Sequence, residues 1–225
     1  MSTRYPAIAF TDDVRAVQHL HGSDRIYERK RVIGAAATEA ERLTDDEGRF
    51  LAERDGFYLA TVSATGWPYV QFRGGPAGFI RVLDDRTIGW ADFRGNLQYI
   101  STGNLAGNDR VAMIAVDYAR RRRLKVFGHA RIVGVDEDPA LVASVGDPAY
   151  DAVAERAVIV TVDAFDWNCP QHITPRFTAG ELEPFVGDLR QRLSALEGEN
   201  AALRAQLSEA QAASGSAKTG VQISK

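Results

Sequence analysis

The stretch from Phe57 to Val135 constrains the fold most, because it consists mainly of short β-patterned runs separated by turn-forming residues. Phe57–Ser63 and Trp67–Arg73 flank Ala64-Thr65-Gly66, an arrangement that predicts a β-hairpin. Further runs of this kind are Phe79–Leu83, Thr87–Ala91, Arg110–Asp117, Leu124–Val135 and the continuously apolar Ala157–Ala164. Strands this close together, with one helical insert at Asn96–Thr102, predict a closed or nearly closed antiparallel barrel rather than a βαβ sheet.

Charge and cysteine content exclude several classes of protein. A net charge of -3 gives no electrostatic reason to expect nucleic acid or an anionic membrane as a partner. The single cysteine, Cys169, excludes an intrachain disulfide, which fits a reducing compartment. No run approaches the roughly 18 apolar residues that a membrane-spanning helix needs. We therefore expect a cytoplasmic protein.

The segments before the barrel are expected to form a helical arm over residues 1–55. Thr11–Gly22 has acidic residues at its start and a glycine at its end, which predicts a short helix. Thr44 and Glu47 have the spacing of a capping box and predict a second helix that ends before Gly56. The basic segment Ser23–Gly34 between them suits an arm that wraps the barrel or a partner subunit.

The C-terminal segment, residues 179–213, carries a seven-residue repeat. The a positions are Val186, Leu193, Asn200 and Leu207, and the d positions are Leu189, Leu196, Leu203 and Ala210. This pattern, with a polar residue at one a position, predicts a parallel two-stranded coiled coil in a homodimer. A single amphipathic helix packed on the barrel is the alternative. Residues 214–225 are expected to form a disordered tail.

The order of several segments resembles the pyridoxamine 5'-phosphate oxidase family of FMN-binding split barrels. The segments are FYLATVS, GWPYVQFRGG, DDRTIGW, DFRGN, NDRVAMI, KVFGHARIV and WNCPQHITPRF. The resemblance implies a mainly β (α+β) fold, a six-stranded antiparallel split β-barrel over residues 56–178 with flanking helices and the C-terminal coiled-coil helix. It also implies FMN as cofactor and a homodimer in which both subunits complete the flavin site.

The second strand offers the first candidate cofactor residues. Its alternation places Gln71 and Arg73 on one face and Phe72 on the other. An amide can bind the edge of a flavin ring and a guanidinium can bind its phosphate. In the resembling family this strand runs along the flavin. The alternative is that Gln71 faces solvent and Arg73 pairs with an acid.

The junction after the fourth run offers a second group of candidates, because a strand end that opens a helix suits an anion. The candidates there are Asp92, Phe93, Arg94, Asn96 and Gln98. The family commonly binds the flavin phosphate here through a serine followed by Arg-Lys, but this chain has Gly95-Asn96-Leu97. Arg73, Arg94 or the Arg120–Arg123 run would then supply the missing positive charge. A plain helix-capping loop is the alternative.

Four residues from other segments complete the set that the resemblance implies: Arg123, Trp167, Gln171 and Arg176. Arg123 begins a strand that contributes to the family's flavin site. Trp167 and Arg176 resemble a late tryptophan and arginine that reach the flavin, usually across the dimer interface. Alternatively, Trp167 caps the core and Arg176 makes a surface pair. No spacing of His, Cys or Asp suggests a metal site.

The expected function is that of an FMN-dependent oxidoreductase acting on a small molecule. True oxidases of the family use a lysine for the substrate phosphate where this chain has Gly75-Pro76, so we do not expect pyridoxamine 5'-phosphate oxidase activity. No side chain stands out as a catalytic acid or base. The alternatives are a non-catalytic binder of flavin, deazaflavin or haem, and a cofactor-free dimerisation module.

Overall fold

The computed structural model describes residues 4–27 and 39–218. The predicted basic arm, Ser23–Gly34, lies largely outside the described residues. The chain divides into two compact units, Met1–Pro175 and Arg176–Lys225.

The first unit is built on one antiparallel sheet of seven strands. The strands are β1 (Gly56–Val62), β2 (Pro68–Gly74), β3 (Arg81–Asp84), β4 (Thr87–Phe93), β5 (Arg110–Asp117), β6 (Arg122–Gly134) and β7 (Ala154–Asn168). The expected split β-barrel class is confirmed, but the expected count of six strands is wrong. Each of the seven β-patterned runs forms its own strand, including the short β3, which pairs only with β4.

The strand order β2-β1-β5-β6-β7-β4-β3 leaves β2 and β3 at the two edges. Aromatic side chains from strands far apart in this order meet in the interior. The sheet therefore curls around an apolar core. The ring of Phe57 on β1 lies 4.9 Å from that of Trp90 on β4. Both side chains are almost completely buried. This curvature brings the faces of β2 and β4 toward each other.

Short helices flank the sheet: α1 (Tyr5–Ala9), α2 (Asp12–Leu20), α3 (Asp45–Ala52), α4 (Ile100–Gly107) and α5 (Pro139–Val145). The predicted helix after Thr11 and the predicted capping box of Thr44 and Glu47 are both present. The helical insert expected at Asn96–Thr102 begins later, at Ile100. Tyr99 adopts a left-handed conformation with φ of 50° immediately before it, which interrupts helical geometry.

The second unit contains one long helix, α6, Ala179–Lys218. A capping box begins it: Glu181 N donates to Thr178 Oγ1 at 3.2 Å, and Thr178 N donates to Glu181 Oε2 at 2.8 Å. The helix continues past Ser214, where the tail was expected to begin, and residues 219–225 of that predicted tail lie outside the described residues. Among the described residues, no helix combines the length and the apolar character required to cross a bilayer.

Candidate functional site

A cavity of about 210 Å³ opens where β2, β4, the start of β7 and the loop before α4 meet. Its lining residues are Gln71, Arg73, Asp92, Phe93, Gly95, Asn96, Leu97, Tyr99, Ile100, Thr102 and Glu155. Five of the residues predicted from the sequence, Gln71, Arg73, Asp92, Phe93 and Asn96, therefore lie around one space. The two segments singled out in the sequence, β2 and the end of β4, both line it.

The side chains of β2 alternate between two faces, and one of these faces lines the cavity. Gln71 and Arg73 are half-buried on the inner face, whereas Phe72 is exposed on the other face, as predicted. The amide oxygen of Gln71 accepts a hydrogen bond from Ser101 Oγ at 3.2 Å, which ties the strand to α4. Phe72 packs edge-on against Tyr58 and does not line the cavity.

A β-bulge at the start of β7 turns two adjacent charged side chains toward this region. Asp92 pairs with Arg156 and Phe93 pairs with Ala154, so Glu155 is the extra residue of the bulge. Consecutive side chains of a regular strand point to opposite faces, but a bulge breaks that alternation. Glu155 accepts from Arg94 Nε at 3.1 Å while Arg156 Nε lies 3.6 Å from Asp92 Oδ2.

Asp92 is the centre of a buried charge cluster. Only 8% of its side chain is exposed, and Oδ1 accepts from Arg73 Nη1 at 2.6 Å. Burial raises the pKa of the Asp92 carboxyl above its ordinary value, Arg73 and Arg156 oppose that rise, and Glu155 adds to it. Within a single chain Arg73 therefore pairs with an acidic residue, Asp92, as the alternative interpretation of the sequence predicted.

Glu155 is the second carboxylate of the same charge cluster and pairs with Arg94 and Arg156. Burial alone would raise its pKa, but hydrogen bonds from Arg156 and Arg94 lower it below the ordinary value, and Tyr99 adds a further donor. The Arg156 guanidinium also lies 4.8 Å from the centre of the Tyr99 ring. Three guanidinium groups from three different elements thus converge on two carboxylates.

One donor in this cluster is unused. Arg73 Nε is buried and has no hydrogen-bond partner within the described structure. Buried polar groups are nearly always hydrogen-bonded, so an orphaned donor beside a cavity suits an acceptor from outside the chain. Arg94, whose side chain is 66% exposed, pairs with Glu155, which lines the same cavity.

The loop before α4 shapes the cavity mouth. Leu97 and Tyr99 both have left-handed backbone conformations, with φ of 61° and 50°. The backbone N–H of Gln98 donates to Asn96 Oδ1 at 3.2 Å, so Asn96 serves as a local turn residue. Gln98 and Arg94 are exposed and are not among the lining residues. The helix start itself lies at Ile100, after the junction predicted to bind an anion.

Of the remaining predicted residues in the first unit, Arg123, Trp167 and Gln171 do not line this cavity within one chain. Arg123 pairs with Asn168 at one end of the β6–β7 ladder, whereas Arg156 pairs with Gly134 at the other end. Trp167 packs edge-on against Phe50 at 4.8 Å, near Arg123 and far along β7 from Glu155.

The surroundings of Trp167 fit its alternative role as a cap of the core. Trp167 Nε1 donates to Glu47 Oε1 at 2.6 Å, and the guanidinium of Arg122 lies 4.2 Å from the indole ring. Gln171 is exposed in a turn after β7. Arg176 is exposed and belongs to the second unit.

Sequence reasoning missed Arg156, Glu155 and Tyr99. Glu155 and Arg156 directly precede the apolar run Ala157–Ala164, so the pattern alone places them outside the strand. The bulge that turns both inward leaves no recognisable pattern in the sequence. The only available signal was the presence of two adjacent charged residues at the border of a buried strand.

The seven-stranded sheet with this cavity places the chain in the class of split-barrel proteins. A comparison with protein-family models identifies the family within that class. The family described as pyridoxamine 5'-phosphate oxidase matches residues 43–165, which is more than half of the chain. The chain belongs to this family, so the resemblance seen in the sequence is confirmed. No curated protein matches the chain.

Several solved structures are similar to this chain at low identity. HupZ from Group A Streptococcus is 20% identical over 60% of this chain and 100% of that chain, with a TM-score of 0.43. An F420 reductase is 24% identical over 52% of this chain and 93% of that chain, with a TM-score of 0.37. An FMN-binding protein from Syntrophomonas wolfei is 11% identical over 67% of this chain and 97% of that chain, with a TM-score of 0.43.

Proposed function

We propose that the chain binds FMN, with the phosphate in the cavity between β2 and β4, and acts as an FMN-dependent oxidoreductase on a small molecule. The observation that carries the proposal is the convergence of Arg73, Arg94 and Arg156 on Asp92 and Glu155, two carboxylates that line this cavity, with Arg73 Nε buried and unpartnered among the described residues. Guanidinium groups are well suited to a phosphate, because they donate two parallel hydrogen bonds.

The fit of a flavin phosphate rests on the donors that are present. This chain lacks the Arg-Lys pair at Gly95-Asn96-Leu97, and Arg156 from β7 supplies a cation that compensates for it. A phosphate would compete with Asp92 and Glu155 for the three guanidinium groups.

The rest of the flavin would extend beyond this cavity. A volume of about 210 Å³ lies below the roughly 300 Å³ at which small-molecule pockets begin. Gln71 is on the same face of β2 as Arg73, which suits a role at the polar edge of the cofactor. We propose that a second copy of the chain completes the site, with Arg123 and Gln171 as the partner's contribution.

When bound, FMN supplies the hydride or electron transfer, and the chain binds and orients it. In this proposal Arg73, Arg94 and Arg156 hold the phosphate, and Gln71 and Asn96 add neutral hydrogen-bonding groups. The sequence departs from the family's true oxidases at Gly75-Pro76, which supports a substrate other than pyridoxamine 5'-phosphate.

The first experiment is the absorbance spectrum of the purified protein, with chromatography of the compound released by acid. Flavin bands and released FMN at about one per chain are expected. Stripped protein is then titrated with FMN in three variants, Arg73→Ala, Arg94→Ala and the control Arg110→Ala, whose side chain is exposed on β5. The first two should bind FMN about 10- to 100-fold more weakly, the range for a lost hydrogen bond to a charged group.

Two results would contradict the proposal. If stripped protein fails to bind FMN, the cavity does not hold this cofactor. If all three variants bind FMN equally well, the phosphate lies elsewhere.

Oxidoreductase activity is tested separately, by mixing loaded protein with reduced nicotinamide under anaerobic conditions. Bleaching of the flavin absorbance followed by reoxidation with added acceptors supports turnover, whereas an unchanged spectrum supports a non-catalytic flavin binder.

A further inference from the structure

The long helix α6 carries an apolar stripe of exposed side chains. Five leucines of the a and d positions are each between 54% and 65% exposed: Leu189, Leu193, Leu196, Leu203 and Leu207. An exposed leucine alone is ordinary, but five of them aligned at heptad spacing form a continuous seam. A seam of this kind is normally covered by another helix.

The composition of α6 is unfavourable for a helix without a partner. Pro184 lies inside the helix, and Gly187 and Gly198 occupy interior positions that face open space. Proline removes a backbone hydrogen bond, and glycine adds conformational entropy to the unfolded state. Burial of the seam therefore has to provide the stability that helix propensity does not.

We propose that α6 forms a parallel, in-register two-stranded coiled coil with α6 of a second copy of this chain. Charge complementarity identifies the occupant. In a parallel pair each g position faces the e position five residues later on the partner, so Arg192 meets Glu197 and Glu199 meets Arg204 of the second copy. Every one of these contacts joins opposite charges.

The antiparallel arrangement of two copies places like charges together. With full overlap of the a and d layers, Glu197 would face Glu197, Glu199 would face Glu199, and Arg190 would face Arg204. A single polar residue at an a position, Asn200, matches its own copy only in the parallel register, where the two amides can hydrogen-bond to each other. The charges and the asparagine thus specify the same orientation.

Disulfide trapping in the full-length chain tests the orientation. The native Cys169 is first replaced in the variant Cys169→Ser, and Leu203→Cys is then added at a d position. In a parallel coil the two thiols face each other within the Cα separation of about 4.4–6.8 Å that a disulfide requires. Mild oxidation should therefore give a covalent dimer in most of the protein. The control is Ala205→Cys, two residues away on the outer face, which should remain monomeric on a non-reducing gel.

Each other outcome overturns the proposal. Cross-linking only in a mixture of Leu193→Cys and Leu203→Cys chains would show an antiparallel pair. Cross-linking of neither Leu203→Cys nor the mixture would show that the seam is covered by something other than a second copy. Equal cross-linking of Leu203→Cys and Ala205→Cys would show random collision.

A charge reversal keeps the test valid if the Leu203→Cys substitution itself weakens the coil. In the Leu203→Cys background, Arg192→Glu should lower the rate of cross-linking, because the new carboxylate at this g position would then face Glu197 of the second copy. Addition of Glu197→Arg should restore the rate only if g and e positions meet in parallel. Failure of the second change to restore the rate excludes the parallel register.

Discussion

Arg73 and Asp92 lie on strands five places apart in the hydrogen-bonded order of the sheet, yet Arg73 Nη1 is 2.6 Å from Asp92 Oδ1. No ladder of backbone hydrogen bonds joins β2 to β4 among the described strands. The ion pair therefore bridges the gap in the split barrel. Its position beside the cavity means that any ligand bound there contacts the link between these two strands.

Replacement of Asp92 should strengthen anion binding in the proposed site. In Asp92→Asn the two neighbouring guanidinium groups lose a competing carboxylate, which is worth about 1–2 kcal/mol for partly buried charges. We expect the affinity for inorganic phosphate to rise about 5- to 30-fold, as measured by calorimetry. Without phosphate the variant should also melt at a lower temperature than the wild type, since Arg73 and Arg156 then lack a full counter-charge. Added phosphate should raise the melting temperature of the variant again.

Asp136→Asn, at an exposed carboxylate, is the matched control and should leave phosphate affinity unchanged. Weaker phosphate binding in Asp92→Asn would show that Asp92 holds the arginines in a binding geometry instead of competing with the ligand.

The carboxylate of Glu47 should make stability depend on pH. Burial opposes its ionisation, but hydrogen bonds from Thr44 and from Trp167 Nε1 outweigh that effect and lower the pKa of Glu47 below its ordinary value of 4.5. A lowered folded-state pKa adds stability that is complete above the unfolded pKa and is lost as the pH falls through the folded value.

We expect Glu47→Gln to reduce the free energy of unfolding by about 1–3 kcal/mol at neutral pH, because the buried donors lose a charged acceptor. The difference between variant and wild type should shrink below about pH 4, as the carboxyl becomes protonated in the folded state as well. Urea titrations across this range, followed through tryptophan fluorescence, provide the measurement. A difference that is the same at every pH would show that shape and not charge matters at this position.

A close backbone approach at the β6–β7 bulge makes Gly128 sensitive to any side chain. The ladder register shifts between Phe127 and Gly128, and a Cβ on Gly128 would lie 2.4 Å from the carbonyl oxygen of Thr161. We expect Gly128→Ala to lower the free energy of unfolding by about 1–3 kcal/mol or more, since the strands must separate. Chemical denaturation measures the loss.

Gly103→Ala is the opposite case and serves as control. Gly103 lies inside α4 with open space around it, so alanine should stabilise the protein by about 0.5–1 kcal/mol. If both substitutions destabilise equally, the contact with Thr161 is not the cause of the loss in Gly128→Ala.

Local patterns predicted most of the fold, and part of the site, for clear physical reasons. Alternation along β2 placed Gln71 and Arg73 on one face because a strand has a period of two, whatever the rest of the chain does. Arg156 could not be placed in this way, because the bulge that turns it inward depends on the register between β4 and β7. Trp167 was grouped with the cavity from the resemblance, but the length of β7 separates it from Glu155 within one chain.

The left-handed residue at the cavity mouth, Leu97, is a site where stability can be gained. Its φ of 61° is unfavourable for most residues that carry a Cβ, including leucine and alanine, and Leu97 is 55% exposed. Asparagine tolerates this conformation, so Leu97→Asn should raise the free energy of unfolding by up to about 1 kcal/mol. Leu97→Ala removes the same side chain but keeps the strain, and should give no such gain.

Thermal melts of the two Leu97 variants separate backbone strain from side-chain packing. Higher stability of Asn than of Ala attributes the effect to the left-handed conformation, whereas equal melting temperatures would show that the side chain alone matters. FMN titration of the same proteins then tests whether the strained loop serves binding. Because the hydrogen bond between Gln98 N and Asn96 Oδ1 on either side of Leu97 does not involve the substituted side chain, we expect the affinity of Leu97→Asn for FMN to equal that of the wild type.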